Sequence, residues 1–218
     1  MKMNEKDIIT DIDVLSEWCK EIDTRKEGKL LQEIVLALKA TMRAKDLVSL
    51  TAPQIGYKYR VFCIKFGKND YRTFVNPLIE NNTAFQFSRE TCASIPDKTF
   101  IMPRFGNIKF YFTTPLGKAE GGKLAGRAAF IFQHCMDHLN GMLVSDIGLE
   151  IDELFDNATE EERLEVLKMY AEALDITQKQ LEEEIDADEN LKSIDEATKF
   201  IASVKSGETI IELETKAD

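Results

Sequence analysis

The spacing of hydrophobic residues changes twice along this chain, and this change restricts the architectures that it can adopt. Residues 11–22 and 27–45 place apolar side chains on one stripe with charged residues between them, which predicts two amphipathic helices. Three later segments are rich in β-branched and aromatic residues and predict strands: 61–66, 73–80 and 107–114. A nearly apolar helix is predicted at 124–140. This order predicts an α+β fold in which a central helix packs against antiparallel sheet.

The last third of the chain holds most of its negative charge. The net charge of the 218 residues is −11. Residues 150–218 carry 22 acidic and seven basic residues, whereas residues 1–149 have a small positive excess. An acidic region of this kind repels phosphate backbones, so we expect no direct binding to nucleic acid. The acidic region either packs on its own chain or binds a protein partner.

Capping sequences predict mainly helical structure in this acidic region. Thr159, Thr177 and Ser193 are each followed three residues later by Glu or Gln, which is the spacing of a capping box. We therefore expect two or three short amphipathic helices with acidic outer faces. The segment 206–215 is a candidate for a last short strand.

The sequence shows neither a membrane-spanning segment nor a disulfide framework. No apolar run approaches the roughly 18 residues of a membrane-spanning helix, and the first ten residues lack the apolar core of a signal peptide. We therefore expect a cytoplasmic protein that does not bind membranes. The four cysteines are far apart in sequence, so each is interpreted first as a small buried apolar residue.

The only two histidines of the chain, His134 and His138, are candidates for metal ligands. A spacing of four places both imidazoles on one face of the predicted apolar helix, a geometry that can bind one metal ion. The alternative is a pair of buried imidazoles bonded to carbonyl groups. Asp137 and Gln133 lie beside the pair and could orient an imidazole, and Cys92 is a candidate third ligand.

Three segments carry a resemblance to a known family. Leu47–Gly56 reads LVSLTAPQIG, Glu90–Ser94 reads ETCAS, and Gln133–His138 reads QHCMDH. In order and spacing they resemble the three motifs of the peptide deformylases, the metallohydrolases that remove the formyl group from N-formylmethionine on new polypeptides. The resemblance implies a deformylase-like domain over residues 1–149, with antiparallel sheets around a central metal-binding helix. Residues 150–218 would form an acidic, mainly helical extension.

The resemblance also implies a metal centre and its substrate. Cys92, His134 and His138 would hold one divalent metal ion, with ferrous iron favoured and zinc, nickel or cobalt tolerated. The substrate would be an N-formylated peptide or a nascent chain. The side-chain amide of Gln54 and the backbone N–H of Ala93 would receive the formyl oxygen and stabilise the developing oxyanion.

Further residues are assigned by the same resemblance. Glu90 and Arg104 match an acid and an arginine that pair in the family, and we expect this pair to hold the ligand loop. Six residues are expected to contact the substrate: Val48, Ser49, Glu90, Arg127, Phe130 and Ile131. Arg127 stands where the family has an apolar residue of the methionine pocket.

Cys135 is the most consequential departure from the family pattern, because the family has a glutamate there. That glutamate transfers the proton between the attacking water and the leaving amine, which typically contributes about 10²–10⁴-fold to the rate. Cys135 could act as a substitute base, become a fourth metal ligand, or only fill space beside the metal. The sequence therefore predicts either a metal-dependent deformylase or an impaired or inactive homologue that keeps the metal and the peptide cleft for binding.

Overall fold

The structure, a computed structural model, describes residues 5–184. Its helices are α1 to α6: Ile12–Leu15, Gly28–Ala44, Arg127–Leu139, Val144–Ile147, Glu153–Asn157 and Glu160–Glu184. Its strands are β1 to β6: Ser49–Thr51, Val61–Gly67, Asp70–Cys92, Ile95–Thr113, Ala119–Ala125 and Leu149–Ile151. None of the described helices has the length and apolar character needed to span a membrane.

The strands form one antiparallel sheet that is dominated by a long hairpin. The order is β1-β2-β3-β4-β5, and β6 pairs with residues 99–101 of β4, on the same edge of β4 as β5. The hairpin of β3 and β4 turns sharply between Cys92 and Ile95, and its register places Gln86 opposite Arg104 and Glu90 opposite Phe100. Because side chains alternate along a strand, Glu90 and Cys92 point to the same side.

The central helix α3 packs on the sheet through an aromatic core. Phe132 of α3 lies 5.0 Å from Phe62, 5.3 Å from Phe74 and 4.5 Å from Phe110, measured between ring centroids. A second core forms where the buried face of α2 packs on β1 and β2. The predicted α+β architecture is confirmed, and α3 is held beside the hairpin turn that carries Cys92.

The helix predicted at 11–22 is largely wrong. Only Ile12–Leu15 is helical, with the Asp11 side chain accepting a hydrogen bond from the Val14 N–H. The following segment bonds to distant parts of the chain, because the Cys19 N–H donates to the Leu139 carbonyl at 3.0 Å. Trp18, expected on the buried stripe, is 68% exposed. Tertiary hydrogen bonds therefore override the helical pattern here.

The start of the acidic region packs on the domain. The boundary expected between residues 149 and 150 falls inside β6, which pairs with β4. Leu167 of α6 is buried against Phe87 and Ile101 of the hairpin. Five further apolar residues between positions 149 and 174 join this core cluster, so this part of the acidic region packs on its own chain.

One of the predicted capping boxes is present and one is wrong. Thr159 and Glu162 exchange hydrogen bonds at the start of α6. Thr177 lies inside the continuous helix α6, so the short helices expected here are replaced by one long helix. The predicted box at Ser193 and the strand at 206–215 lie outside the described residues.

Candidate metal centre

Cys92, His134 and His138 come together at the hairpin turn and on α3. One ligand atom from each residue lies within 4.8 Å of the others, and the Cys92 Sγ is 3.3 Å from the His138 Nε2. That separation is close to the ~3.5 Å edge of a coordination tetrahedron built from ordinary zinc–sulfur and zinc–nitrogen bonds. A thiolate with two imidazoles is a suitable donor set for a divalent transition metal. These residues therefore fit a metal ion.

Glu90 orients the His134 ring. The His134 Nδ1 is 2.9 Å from the Glu90 Oε2, which leaves the other ring nitrogen directed toward the cluster. Both Glu90 oxygens also accept from Arg104, whose Nε and Nη2 donate at 2.7 and 2.9 Å. Ser88 adds a further hydrogen bond to Glu90 at 2.5 Å. Glu90 was also predicted to contact the substrate, but both of its oxygens are already hydrogen-bonded to protein side chains.

Asp137 has a different partner from the one expected. Its carboxylate accepts from the Arg104 Nη1 at 2.6 Å instead of binding an imidazole. Gln133 bonds to the backbone N–H and carbonyl of Phe105, so it also does not orient a histidine. Among the described residues, the buried Nδ1 of His138 has no hydrogen-bond partner. Only His134 is therefore supported by a carboxylate.

The electrostatics of the cluster favour the anionic forms of its acids. Burial raises the pKa of the Cys92 thiol, but hydrogen bonds from His134 and His138 outweigh this effect and the pKa falls to about 5. Burial likewise opposes the ionisation of Glu90, and the Arg104 guanidinium and His134 lower its pKa to about 2. Since the thiolate is the form of cysteine that binds metals, Cys92 is prepared for ligation.

Gln54 points its amide nitrogen at the cluster. The Gln54 Oε1 accepts from the backbone N–H and the hydroxyl of Thr51 at 3.0 and 3.1 Å. The Gln54 Nε2 therefore faces the hairpin turn, where it donates to the Ser94 Oγ at 3.1 Å and lies 3.8 Å from the Cys92 Sγ. A buried amide that is fixed in this direction can donate to an oxygen that arrives beside the metal ligands.

Cys135 lies next to the ligand His134 on α3 but does not join the ligand cluster. It is fully buried beside the aromatic residues of α3 and the sheet, and it is absent from the ligand group found among the described residues. Burial raises the pKa of the Cys135 thiol well above its usual range, and a hydrogen bond with Ser49 offsets this only in part. The Cys135 thiol is therefore neutral and contacts Ser49 of β1.

The remaining residues predicted to line a cleft differ in exposure. Val48 and Arg127 are exposed, while Ser49, Phe130 and Ile131 are half-buried. The exposed position of Arg127, at the first turn of α3, avoids the desolvation cost that an arginine has inside an apolar pocket. Ala93 is also exposed, in the hairpin turn between Cys92 and Ser94.

Three supporting residues were not predicted from the sequence. Ser88 lies two positions before Glu90 on the same strand face, Ser94 lies two positions after Cys92, and Thr51 lies three positions before Gln54. The period-2 alternation of a strand could have identified Ser88. The contacts of Thr51 and Ser94 depend on how the turn folds.

Comparisons with known proteins agree with this geometry. The sequence model of the Polypeptide deformylase family matches residues 6–151. The chain belongs to this family. The peptide deformylase of Thermotoga maritima is 31% identical over 116 residues, which are 53% of this chain and 71% of that relative. The peptide deformylase of Heliobacterium modesticaldum is 39% identical over 109 residues, or 49% of this chain and 70% of that relative.

Solved structures of the same family share the fold. The crystal structure of the Thermotoga maritima deformylase matches with a TM-score of 0.61 and 31% identity, covering 67% of this chain and 97% of that chain. The actinonin-bound class I type b deformylase of Acinetobacter baumannii matches with a TM-score of 0.60 and 25% identity, covering 65% and 97%. The metal dependence of this family accords with the Cys/His/His cluster.

Proposed function

We propose that this deformylase-family protein hydrolyses the N-formyl group of formylmethionyl peptides at the Cys92–His134–His138 cluster. In this reaction an oxygen from water forms a bond to the formyl carbon, the carbon–nitrogen bond breaks, and formate and a protonated amine leave. The observation that carries the proposal is the convergence of the three ligand atoms within 4.8 Å beside the Gln54 amide.

The chain's own residues would position the ion and the substrate. A divalent ion at the cluster, ferrous iron by family resemblance and zinc or nickel as substitutes, would polarise the formyl carbonyl and lower the pKa of a bound water. Gln54 would donate its amide N–H to the formyl oxygen, with its own oxygen fixed by Thr51. The backbone N–H of Ala93, next to the ligand Cys92, would be the second donor.

Cys135 would limit the rate. The thiol is fully buried and its pKa is raised by burial, so it is a poor acceptor for the proton that the attacking water must lose. We therefore expect weak turnover in the unmodified chain. The proton would then pass to solvent without a positioned side chain.

The test is turnover of a formyl-Met tripeptide by anaerobically iron-loaded or nickel-loaded protein. Cys135→Glu restores the family's residue and should raise kcat/KM by about 10²–10⁴-fold. Cys135→Ala is the matched control and should leave the weak activity unchanged, because a protonated thiol cannot accept the proton from the attacking water. Loss of turnover in Cys135→Ala would instead assign the base to Cys135. Absence of turnover in both the unmodified chain and Cys135→Glu would contradict the proposal.

A second candidate function is favoured by the same buried thiol. The chain would bind formylated peptides at the metal centre without hydrolysing them. Calorimetric titration with a formyl-Met tripeptide distinguishes the two functions, since a binder gives a stable complex from which no formate is released. Release of formate by the unmodified chain would exclude this candidate.

The acidic region and the cellular location lead to two smaller proposals. Residues 150–218 have a large negative excess, which would suit a partner with a basic surface. We infer a cytoplasmic location from the nascent chains that deformylases process. The partner proposal would be contradicted if removal of residues 185–218 left the set of proteins recovered by affinity purification unchanged. Recovery of the protein in the membrane fraction of cells would contradict the location.

A further inference from the structure

A continuous chain of hydrogen bonds runs from a metal ligand to a charged residue on the same helix. It begins at the His134 Nδ1, passes through Glu90 and Arg104, and ends at the Asp137 carboxylate. The three separations along the chain are 2.9, 2.7 and 2.6 Å. The Arg104 side chain is 4% exposed and that of Asp137 is 19% exposed, so the interior links are shielded from water.

Arg104 is shared between two carboxylates. Glu90 accepts from its Nε and Nη2, and Asp137 accepts from its Nη1. By Coulomb's law, the negative charge of Asp137 offsets part of the positive charge that Arg104 presents to Glu90. The charge of Asp137 would therefore make Glu90 a stronger hydrogen-bond acceptor for the His134 Nδ1–H, although Asp137 has no hydrogen bond to either imidazole.

We propose that Asp137 is a positioning residue that acts through Arg104 and Glu90 to set the orientation and donor strength of His134. The proposal rests on the metal centre described under the proposed function. His138 has no comparable support, because its buried Nδ1 lacks a partner among the described residues. His134 is thus the one imidazole of the pair through which a distant carboxylate can tune the ion.

A purely structural role for Asp137 makes a different prediction. The Asp137–Arg104 pair also ties α3 to β4, so its loss would lower stability even if the metal were unaffected. Asp137→Asn separates the two roles. The amide oxygen can still accept from the Arg104 Nη1 and keep α3 in place, whereas the negative charge is lost.

The experiment measures the affinity of the full chain for Co²⁺ by chelator competition, together with the visible absorption spectrum of the bound ion. Asp137→Asn should weaken Co²⁺ binding by about tenfold, at the lower end of the 10–100-fold effect of residues that orient metal ligands. The absorption bands should shift, because the donor strength of His134 changes. Asp156→Asn is the matched control: Asp156 pairs with Arg89 at 2.6 and 2.7 Å on an exposed surface and should leave both readouts unchanged.

A double-mutant cycle tests the route through Glu90. If Asp137 acts through Glu90, adding Asp137→Asn to Glu90→Gln should produce no further loss of Co²⁺ affinity. Asp137→Glu keeps the charge and should keep most of the affinity, which provides a second variant if Asp137→Asn folds poorly. Unchanged affinity and spectrum in Asp137→Asn, or an additive loss in the double variant, would overturn the inference. If the unmodified chain bound no Co²⁺, the metal centre itself would be refuted as well.

Discussion

Truncating Leu167 tests whether the acidic region is part of the folded domain. Leu167 lies on α6 and is 1% exposed, packed in a cluster with Phe87 and Ile101 of the hairpin. Leu→Ala at buried positions costs about 2–5 kcal/mol. This cluster is small and has half-buried neighbours that can close part of the cavity, so we expect a value near the middle of that range, about 3 kcal/mol.

Urea unfolding of the full chain measures this cost. With a slope of about 2 kcal/mol per molar urea, the transition midpoint of Leu167→Ala should fall by about 1.5 M. Val166→Ala is the matched control, because Val166 is the preceding residue on the same helix and is 38% exposed. We expect that control to stay within about 0.5 kcal/mol of the unmodified protein.

Two results would refute this reasoning. An unchanged midpoint in Leu167→Ala would mean that α6 does not pack on the hairpin in solution. A separate early transition, with the main transition unmoved, would mean that α6 unfolds independently of the domain. Either result would also remove the support that α6 gives to the strands carrying Glu90 and Arg104.

Three further outcomes follow from single features of the structure. Burial raises the pKa of the Tyr170 hydroxyl from 10.0 to about 12. The stability that Tyr170 contributes is therefore complete below pH 10 and is lost between pH 10 and 12, because the unfolded chain ionises first. Tyr170→Phe should remove this part of the alkaline loss of stability, as measured by urea midpoints at several pH values. Gly141 has a φ of +70°, and an added Cβ would lie 2.4 Å from the Ser16 carbonyl oxygen, so Gly141→Ala should cost at least about 2 kcal/mol in the same assay. Chelator should lower the melting temperature of the metal-loaded protein, whereas Cys92→Ser should show little of this effect because it lacks the thiolate ligand.

The elements with strong hydrophobic periodicity were predictable from the sequence. The helix expected at 27–45 is α2, Gly28–Ala44, and the one expected at 124–140 is α3, Arg127–Leu139. Both bury a continuous apolar stripe, so pattern and packing agree. The helix predicted at 11–22 was wrong because the backbone of Cys19 and Lys20 bonds to Leu139, Lys58 and Arg60, partners that no local pattern can indicate.

Residue spacing predicts only the short-range part of the site, and the long-range contacts were expected from the family resemblance. The His134–His138 pair follows from helical geometry, and the structure places Cys92 beside it. The expected pairing of Glu90 with Arg104 is present in the structure. Asp137, one of two residues that could have oriented an imidazole, instead accepts from Arg104, which is 33 residues away in sequence.

The charges around the cluster lead to a last prediction about Cys135. Cys92 as a thiolate, Glu90 and Asp137 together exceed the single charge of Arg104 by two negative charges, which one divalent ion neutralises. Cys135→Glu would add a carboxylate in a buried position that only the nearby cation could compensate. The rise in melting temperature on adding Ni²⁺ should therefore be larger in Cys135→Glu than in the unmodified chain, with Cys135→Ser as the uncharged control. Equal rises in melting temperature in all three proteins would show that the side chain at position 135 does not interact with the ion. The expected rescue of proton transfer by Cys135→Glu would then have no physical basis.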